Sequence, residues 1–396
     1  MRVAVVVTAR PSWAKLQTIC EALRDTPGVE LQIVACASAL LERYGRVVDV
    51  ITAQGFPIAA ECWTVHEGEN LVTSAKETGA LISALSDHLR HLRPSCLVVC
   101  ADRHEVLGAA QAGAYLHIPV VHIQGGEKTG SIDDKVRDSV THLADMHFTC
   151  TEFARWRVYN LTGSQHVYNV GCSSIDVAKR SMSEPPVTAE ELGGAGTPID
   201  LTQPFGVILQ HPVTNEADAA YQQMAITLEA AARVMLPWVV LWPGQDAGSA
   251  GISKAIRVWQ DGVMPTFHTV RNLPPTRFLR LVQQASVLVG NSSCGIRECS
   301  YLGVPVVNIG TRQHGRERAT NVVDVPHETD RILAALQRQI AHGRYPSSTL
   351  YGSGDTGQKI AEVLSGLCEG RVQERGDLWL HRRGDHDRLT RVPRSL

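Results

Sequence analysis

The sequence lacks an excess of either charge. Its 38 Lys and Arg stand against 40 Asp and Glu, a formal net charge of -2, so bulk electrostatics do not draw it to nucleic acid or to an acidic membrane surface. An anionic ligand must be held by a built site. Any run of ~18 consecutive apolar residues is also missing, and the apolar core of Met1–Val7 is too short for a signal peptide before Arg10-Pro11 intervenes. The expected compartment is the cytosol, with no nucleic-acid or membrane partner. Ten cysteines are present, but no CxxC pair and no histidine at zinc-finger spacing accompanies them. A chain of 396 residues does not need disulfide staples, so the cysteines are expected to be mostly buried thiols. The sixteen histidines form no ligand-like cluster, so neither a metal nor another cofactor is expected. Short repeats and low-complexity tracts are absent.

What is there is a 44% apolar chain long enough for two α/β domains with cores of their own. Short β-branched runs alternate with helix-length amphipathic segments. Residues 3–8, 31–37, 96–101, 119–124, 146–150 and 167–170 read as strands of a first half, with helical spacing in 75–92 and 105–116. Residues 207–210, 239–242, 266–270, 287–290, 304–309 and 322–325 read as strands of a second. Ser181–Pro204, rich in Pro, Gly, Ser and Thr, reads as a connection between domains. The expected boundaries are 1–180 and 205–350, with a helix at 355–370 returning to the first domain and a tail at 371–396. Alternating strands and helices imply parallel sheets. Two doubly wound units in succession imply a cleft lined by loops from the strand carboxyl ends, where ligands of open α/β sheets bind.

The polar motifs fall at those strand ends. Thr8-Ala-Arg-Pro-Ser follows the first run, Ala101-Asp-Arg-His-Glu105 a later one, and the next gives His122-Ile-Gln-Gly-Gly-Glu-Lys-Thr-Gly-Ser-Ile-Asp-Asp134. In the second half Gln210-His-Pro-Val-Thr214, Gly290-Asn-Ser-Ser-Cys-Gly-Ile-Arg-Glu298 and Val307-Asn-Ile-Gly-Thr-Arg-Gln313 occupy equivalent places. Small residues after a buried strand let backbone N–H groups at a helix start approach a phosphate, and Ser292 and Ser293 add hydroxyl donors. Asn-Ser-Ser is equally the signature of a helix N-cap.

On these motifs, in this order, the sequence from about Val3 to about Leu367 resembles the UDP-N-acetylglucosamine 2-epimerases, specifically the hydrolysing branch of sialic and nonulosonic acid synthesis. The resemblance implies an α/β fold of the glycosyltransferase-B kind, two Rossmann-like domains with a cleft between them. Thr356–Leu367 matches the C-terminal helix that packs back on the first. It implies that UDP leaves across C1–C2 by anti-elimination, giving a 2-acetamidoglucal that water then converts to N-acetylmannosamine. It implies no metal and no cofactor, a nucleotide-sugar as partner, and a homodimer or homotetramer.

The site residues implied are Asp102, Gln124, Glu127, Asp133, Arg137 and His211 for the chemistry. For the substrate and nucleotide they are Arg10, Arg103, Asn272, Ser292 and Ser293 at the diphosphate, Glu298 at the ribose, and Arg312. Around Arg10, Ser12 and Ala14 stand where the family often has an acid and a serine. At position 124 the family's best-known pattern has Glu. An amide there orients substrate while Asp102, Asp133 or Glu127 moves protons, or it meets the extra acetamido group of a 2,4-diacetamido-trideoxy UDP- or GDP-sugar. A glycosyltransferase of the same fold and a nucleotide-sugar binder with impaired chemistry are the remaining alternatives.

Several of these residues have plainer roles open to them. Asp102 can pair with Arg103 or cap the helix near Glu105, and one of Asp133 and Asp134 is expected to cap the following helix. Glu127 can be a turn residue, Arg312 a surface ion pair, and His211 a strand-end histidine bonded to backbone.

Overall fold

The structure, a computed structural model, describes residues 1–67, 71–129, 132–243, 248–261 and 267–368. The expected tail at 371–396 lies outside them. The chain divides into two compact units. Among the described residues, the first comprises Met1–Gly126, Val136–Val170 and the chain from Gly357 to Cys368; the second comprises Glu127–Lys135 and Gly171–Thr356.

In the first unit the strands are β1 (Arg2–Val7), β2 (Glu30–Cys36), β3 (Ile58–Cys62), β4 (Cys96–Cys100), β5 (Val120–Ile123), β6 (Met146–Thr149) and β7 (Val167–Asn169). Its helices are α1 (Arg10–Arg24), α2 (Val47–Ala53), α3 (Leu71–Leu92), α4 (His104–Tyr115), α5 (Ile132–Leu143), whose first residues group with the second unit, and α6 (Glu152–Thr162). All strands pair in parallel in the order β3-β2-β1-β4-β5-β6-β7. The interior strands are buried on both faces, which is why they read as unbroken apolar runs. On one face Val3, Val5, Val98 and Val121 meet Leu16, Ile19 and Leu23 of α1, and on the other Ala4, Val6, Leu97 and Val99 meet Leu81 and Leu85 of α3. Each fully buried aliphatic side chain contributes roughly 1.5–3 kcal/mol.

In the second unit the helices and strands are α7 (Ser173–Ser181), α8 (Ala189–Leu192), β8 (Ala195–Gly196), β9 (Gly206–Leu209), α9 (Ala220–Ala232), β10 (Trp238–Leu241), α10 (Ser249–Asp261), β11 (Phe267–Val270) and α11 (Pro275–Gln284). They continue as β12 (Val287–Gly290), α12 (Ser293–Ile296), α13 (Glu298–Leu302), β13 (Val306–Ile309), β14 (Val322–Val325) and α14 (Thr329–His342). The sheet order is β14-β13-β12-β9-β10-β11-β8, parallel except for β8, which runs antiparallel to β11.

Two expectations are corrected here. Ser181–Pro204 is not a connection between domains: it forms α8 and edge strand β8, and Leu192, Ile199 and Leu201 are buried in the second unit's core. The division falls between Val170 and Gly171 instead of near 180, because Val177 and Ala178 of α7 belong to that same core. The edge strands β3 and β8 were not anticipated, since β3 alternates in burial and β8 has two residues. The last helix, α15 (Thr356–Cys368), sets Ile360, Ala361 and Leu364 beside Leu16 and Ile19 in the first unit's core. Among the described residues no helix is long and apolar enough to cross a membrane. Nine of the cysteines, from Cys20 to Cys299, are buried thiols outside any disulfide, as expected.

Each sheet reverses its winding once, between β1 and β4 in the first and between β9 and β12 in the second. Loops diverge from the carboxyl ends at such a switch point and leave a crevice. Arg10 and Asp102 follow the strands flanking the first switch, and His211 and Ser292 those flanking the second.

Candidate active site

In the first unit the site begins with two unusual backbone positions. Ala101, after β4, has φ 67°, and Gln124, after β5, has φ 65°. A side chain in the left-handed region costs about 1 kcal/mol or more, and such strain gathers where surrounding structure holds it for a purpose. Ala101 N donates to Ile123 O at 2.9 Å and Gln124 N donates to Phe148 O at 2.8 Å. The two strand ends are thus held one residue beyond the regular ladder, and the turns present Asp102 and Gln124.

Asp102 pairs with the guanidinium of Arg137 from α5. Arg137 is only 1% exposed, so its charge has a carboxylate partner where water is excluded. Asp102 does not take Arg103. That residue instead makes a two-pronged bond with Glu105, at 2.9 and 3.1 Å, and Glu105 is 1% exposed. Nor does Asp102 cap the following helix, whose N-cap is Arg103 with no side-chain cap bond. Gln124 is buried, at 2% exposure. Arg10 is exposed at the start of α1. The departure at Ser12 has a local cause, since its hydroxyl accepts from Ala9 N at 2.9 Å and begins that helix.

Nearby, ligand atoms of Glu77, His104 and Glu105 lie within 4.8 Å of one another. Their contacts account for them as a hydrogen-bonded group: Glu77 accepts from His66 N at 2.9 Å and its other oxygen lies 3.1 Å from His104 Nε2.

In the second unit Glu127 is placed unlike a proton-transfer group. It is 7% exposed and pairs with Arg297 and, at 3.0 Å, with Arg316. Two guanidiniums on one carboxylate make an anchor for the Glu127–Thr129 loop. Asp134 accepts from Thr129 N at 2.8 Å and from its hydroxyl at 2.9 Å, whereas Asp133 is exposed. Of the two acids, Asp134 therefore holds the loop.

Asn291 ties together the loops that carry His211 and Arg312, and it was not among the residues singled out in the sequence. Its side chain accepts from His211 N at 2.7 Å and donates to His211 O at 2.8 Å. Its backbone oxygen accepts from Arg312 at 3.2 Å and from Gln313 at 2.9 Å. Two strand-end loops, at 211 and 312, are thereby tied to a third. The turn that allows it begins at Gly290, with φ 137°, where a Cβ would lie 2.1 Å from Leu209 O. Burial and the neighbouring Arg312 push the His211 pKa down to about 3, so His211 is neutral at working pH. Asn272 is exposed after β11.

Ser292 is the N-cap of α12, accepting from Cys294 N at 3.3 Å. That helix is four residues long and breaks at Arg297, so the expected help from a helix dipole is replaced by individual N–H and hydroxyl donors. Glu298 begins the next short helix. Burial raises its pKa to about 7, aided by Cys172 and opposed by Arg297 and by a bond from Ser174. Its Oε2 is buried and has no hydrogen-bond partner among the described residues. A carboxylate oxygen in that state is an acceptor awaiting a donor. Arg297 was within a quoted motif, but its pairing with Glu127, 170 residues away, left no sequence signal.

The family described as UDP-N-acetylglucosamine 2-epimerase matches residues 21–365. UDP-N,N'-diacetylbacillosamine 2-epimerase (hydrolyzing) of Legionella pneumophila is 27% identical to this chain over 92% of it and 95% of the relative. UDP-N-acetylglucosamine 2-epimerase of Neisseria meningitidis serogroup B is 28% identical, over 92% of this chain and 95% of the relative. Among solved structures, UDP-GlcNAc 2-epimerase from Neisseria meningitidis bound to UDP-GlcNAc matches with a TM-score of 0.77 at 17% identity, covering 92% of this chain and 100% of that one. That likeness bears on the fold, two parallel-sheet domains of the glycosyltransferase-B kind.

Proposed function

The chain belongs to the UDP-N-acetylglucosamine 2-epimerase family, and we propose that it is a hydrolysing 2-epimerase converting UDP-N-acetylglucosamine to N-acetylmannosamine and UDP. The observation that carries this reading is the Asp102–Arg137 pair beside a buried Gln124, an ionisable group set next to one that cannot ionise. Asp102 and Asp133 share the proton transfers. One carboxylate takes the C2 proton as the C1–O bond breaks and UDP departs; the other then delivers a proton to C2 of the glycal from the opposite face, and water captures the oxocarbenium centre that this leaves at C1, giving up its surplus proton to solvent. Gln124 orients the acetamido group or a hydroxyl. Glu127 is left out of the proton path because two arginines engage it.

The nucleotide is assigned to the second unit. Ser292, Ser293, Arg312 and the neutral His211 receive the charge that grows on the leaving diphosphate, and Glu298 accepts from the ribose hydroxyls with the oxygen that lacks a partner. Arg10, Arg103 and Asn272 remain assigned to substrate contacts, and the protein is assigned a homo-oligomeric state in the cytosol.

A second reading has its own support: the Legionella pneumophila relative is described as acting on UDP-N,N'-diacetylbacillosamine, and is as similar as the Neisseria one. In that reading Gln124 meets a second acetamido group. Proton NMR of the protein with each sugar nucleotide in D2O decides. UDP release with a 2-deuterated 2-epimeric free sugar is expected. Deuterium at C2 with the nucleotide retained would show reversible epimerisation, and transfer to an acceptor without C2 exchange would show a glycosyltransferase.

A further inference from the structure

His122, in β5, has no exposed surface. Its Nε2 lies 3.0 Å from the carbonyl oxygen of Ala101, and its Nδ1 lies 3.1 Å from the hydroxyl of Thr141. A carbonyl oxygen can only accept, so Nε2 carries the proton and Nδ1 accepts from Thr141. Burial lowers the ring's pKa to about 4, against a smaller opposing pull from the Ala101 carbonyl. The ring is therefore neutral, with its tautomer fixed by its partners, and it is not a proton donor to substrate.

What the ring holds is the strained turn at Ala101. That peptide's N–H is bound to Ile123 and its carbonyl to His122, so both polar groups of a left-handed residue are anchored on the adjacent strand. The next residue is Asp102. Its partner Arg137 and the histidine's partner Thr141 are four apart on α5, hence on one face of that helix. Thr141, His122, Ala101, Asp102 and Arg137 thus close a ring through one helical turn. The same histidine also bears on Gln124. A Cβ added at Gly125 would lie 3.0 Å from His122 Nδ1 and 3.2 Å from Thr141 Oγ1, so the peptide following Gln124 packs directly on the His122–Thr141 bond.

We infer that His122, polarised by Thr141, is a positioning residue of the epimerase reaction: it sets the strand ends carrying Asp102 and Gln124 in mutual register. The inference rests on the reading that those two residues face the sugar. His122 itself touches no reacting atom, and its effect reaches the chemistry through backbone placement. Misplacement of a reacting group by about 1 Å can cost on the order of 100-fold in rate, so a loosened ring shows in kcat before it shows in binding.

Thr141→Val keeps the shape and removes the donor to Nδ1, whereas Thr141→Ser keeps the donor. The expected result is a kcat for Thr141→Val lowered roughly 10- to 100-fold with KM unchanged, and a Thr141→Ser variant close to wild type. Nitrogen-15 NMR of the wild-type protein at pH 7 should show His122 as the neutral Nε2–H tautomer, and Thr141→Val should mix in the other. Wild-type kcat in Thr141→Val, or an Nδ1–H or doubly protonated His122 in the wild type, would overturn the assignment. If Thr141→Val does not fold, Thr141→Cys replaces it, its weak thiol donor giving an intermediate kcat if the inference holds and wild-type kcat if it does not. Should the wild-type protein release no nucleotide from either acetamido sugar, the functional reading has failed. The tautomer measurement then judges the ring by itself, and a tautomer other than Nε2–H rejects it.

Discussion

In the proposed reaction Gln124 and Asp102 divide between them what two carboxylates would do elsewhere. The amide offers a donor and an acceptor at fixed charge, so it can orient a substrate group at any pH, while Asp102 carries the ionisation and is tied to the buried Arg137. Asp102→Asn preserves the shape and removes the negative charge that Asp102 sets against Arg137. Denaturant unfolding should show a loss of ~2 kcal/mol or more, and turnover should fall at least 100-fold with loss of deuterium incorporation at C2. A variant that stays as stable as the wild type would show that Arg137 has another adequate partner. The motifs that carry these residues were legible in the sequence, because they are long and ordered. Their pairings were not. Asp102 and Arg137 are 35 positions apart, and the nearer choice, Arg103, is taken by Glu105. Nothing in residue type distinguishes Asp133 from Asp134 either; only the bonds of Asp134 to Thr129 do.

At the scale of elements, both sheets and their central strands were readable because a parallel strand buried on both faces must be apolar throughout. Edge strands β7 and β14 were readable too, but β3 and β8 were not, since β3 alternates in burial and β8 has two residues whose Pro- and Gly-rich surroundings carry a linker's composition. The join between loops was equally invisible. Asn291 binds the loop after β9 to the loop after β12 by a donor and an acceptor at once, across 80 residues. Asn291→Asp is nearly isosteric but removes the donor and sets a carboxylate oxygen against the His211 carbonyl. It should destabilise the second unit by about 2 kcal/mol and weaken UDP binding. Calorimetry with UDP and thermal unfolding read the two effects, and UDP affinity equal to wild type would sever Asn291 from the nucleotide site.

Across the whole molecule, a near-neutral net charge of -2 gives little general repulsion, so a few buried titrating groups govern the pH dependence of stability. In the first unit, burial lowers His122 to about 4, and burial with neighbouring histidines lowers His147 to about 3. Neither ring nitrogen of His147 has a hydrogen-bond partner among the described residues. Both histidines take up protons more readily when unfolded, near an ordinary pKa of about 6.5. Their contribution is fully present above that value and is lost as pH falls toward the folded values, at about 1.4 kcal/mol per pH unit for each. In the second unit His211 behaves likewise, but Glu298, raised to about 7, has the opposite sign: it favours the folded state below the ordinary carboxylate range, and that advantage disappears as pH rises through 7. The two oppose each other there, while the two histidines of the first unit act together. Between pH 7 and pH 5 the unfolding transition of the first unit should therefore move down more than that of the second, with hydrogen exchange identifying which is which. His147→Leu, which removes an unpartnered polar ring from the core, should be neutral to stabilising at pH 7 and should recover roughly 2 kcal/mol of the acid loss at pH 5. Equal acid sensitivity in His147→Leu and the wild type would mean that His147 stays unprotonated on unfolding or is hydrogen-bonded in the folded protein, and the acid response would then have to arise elsewhere.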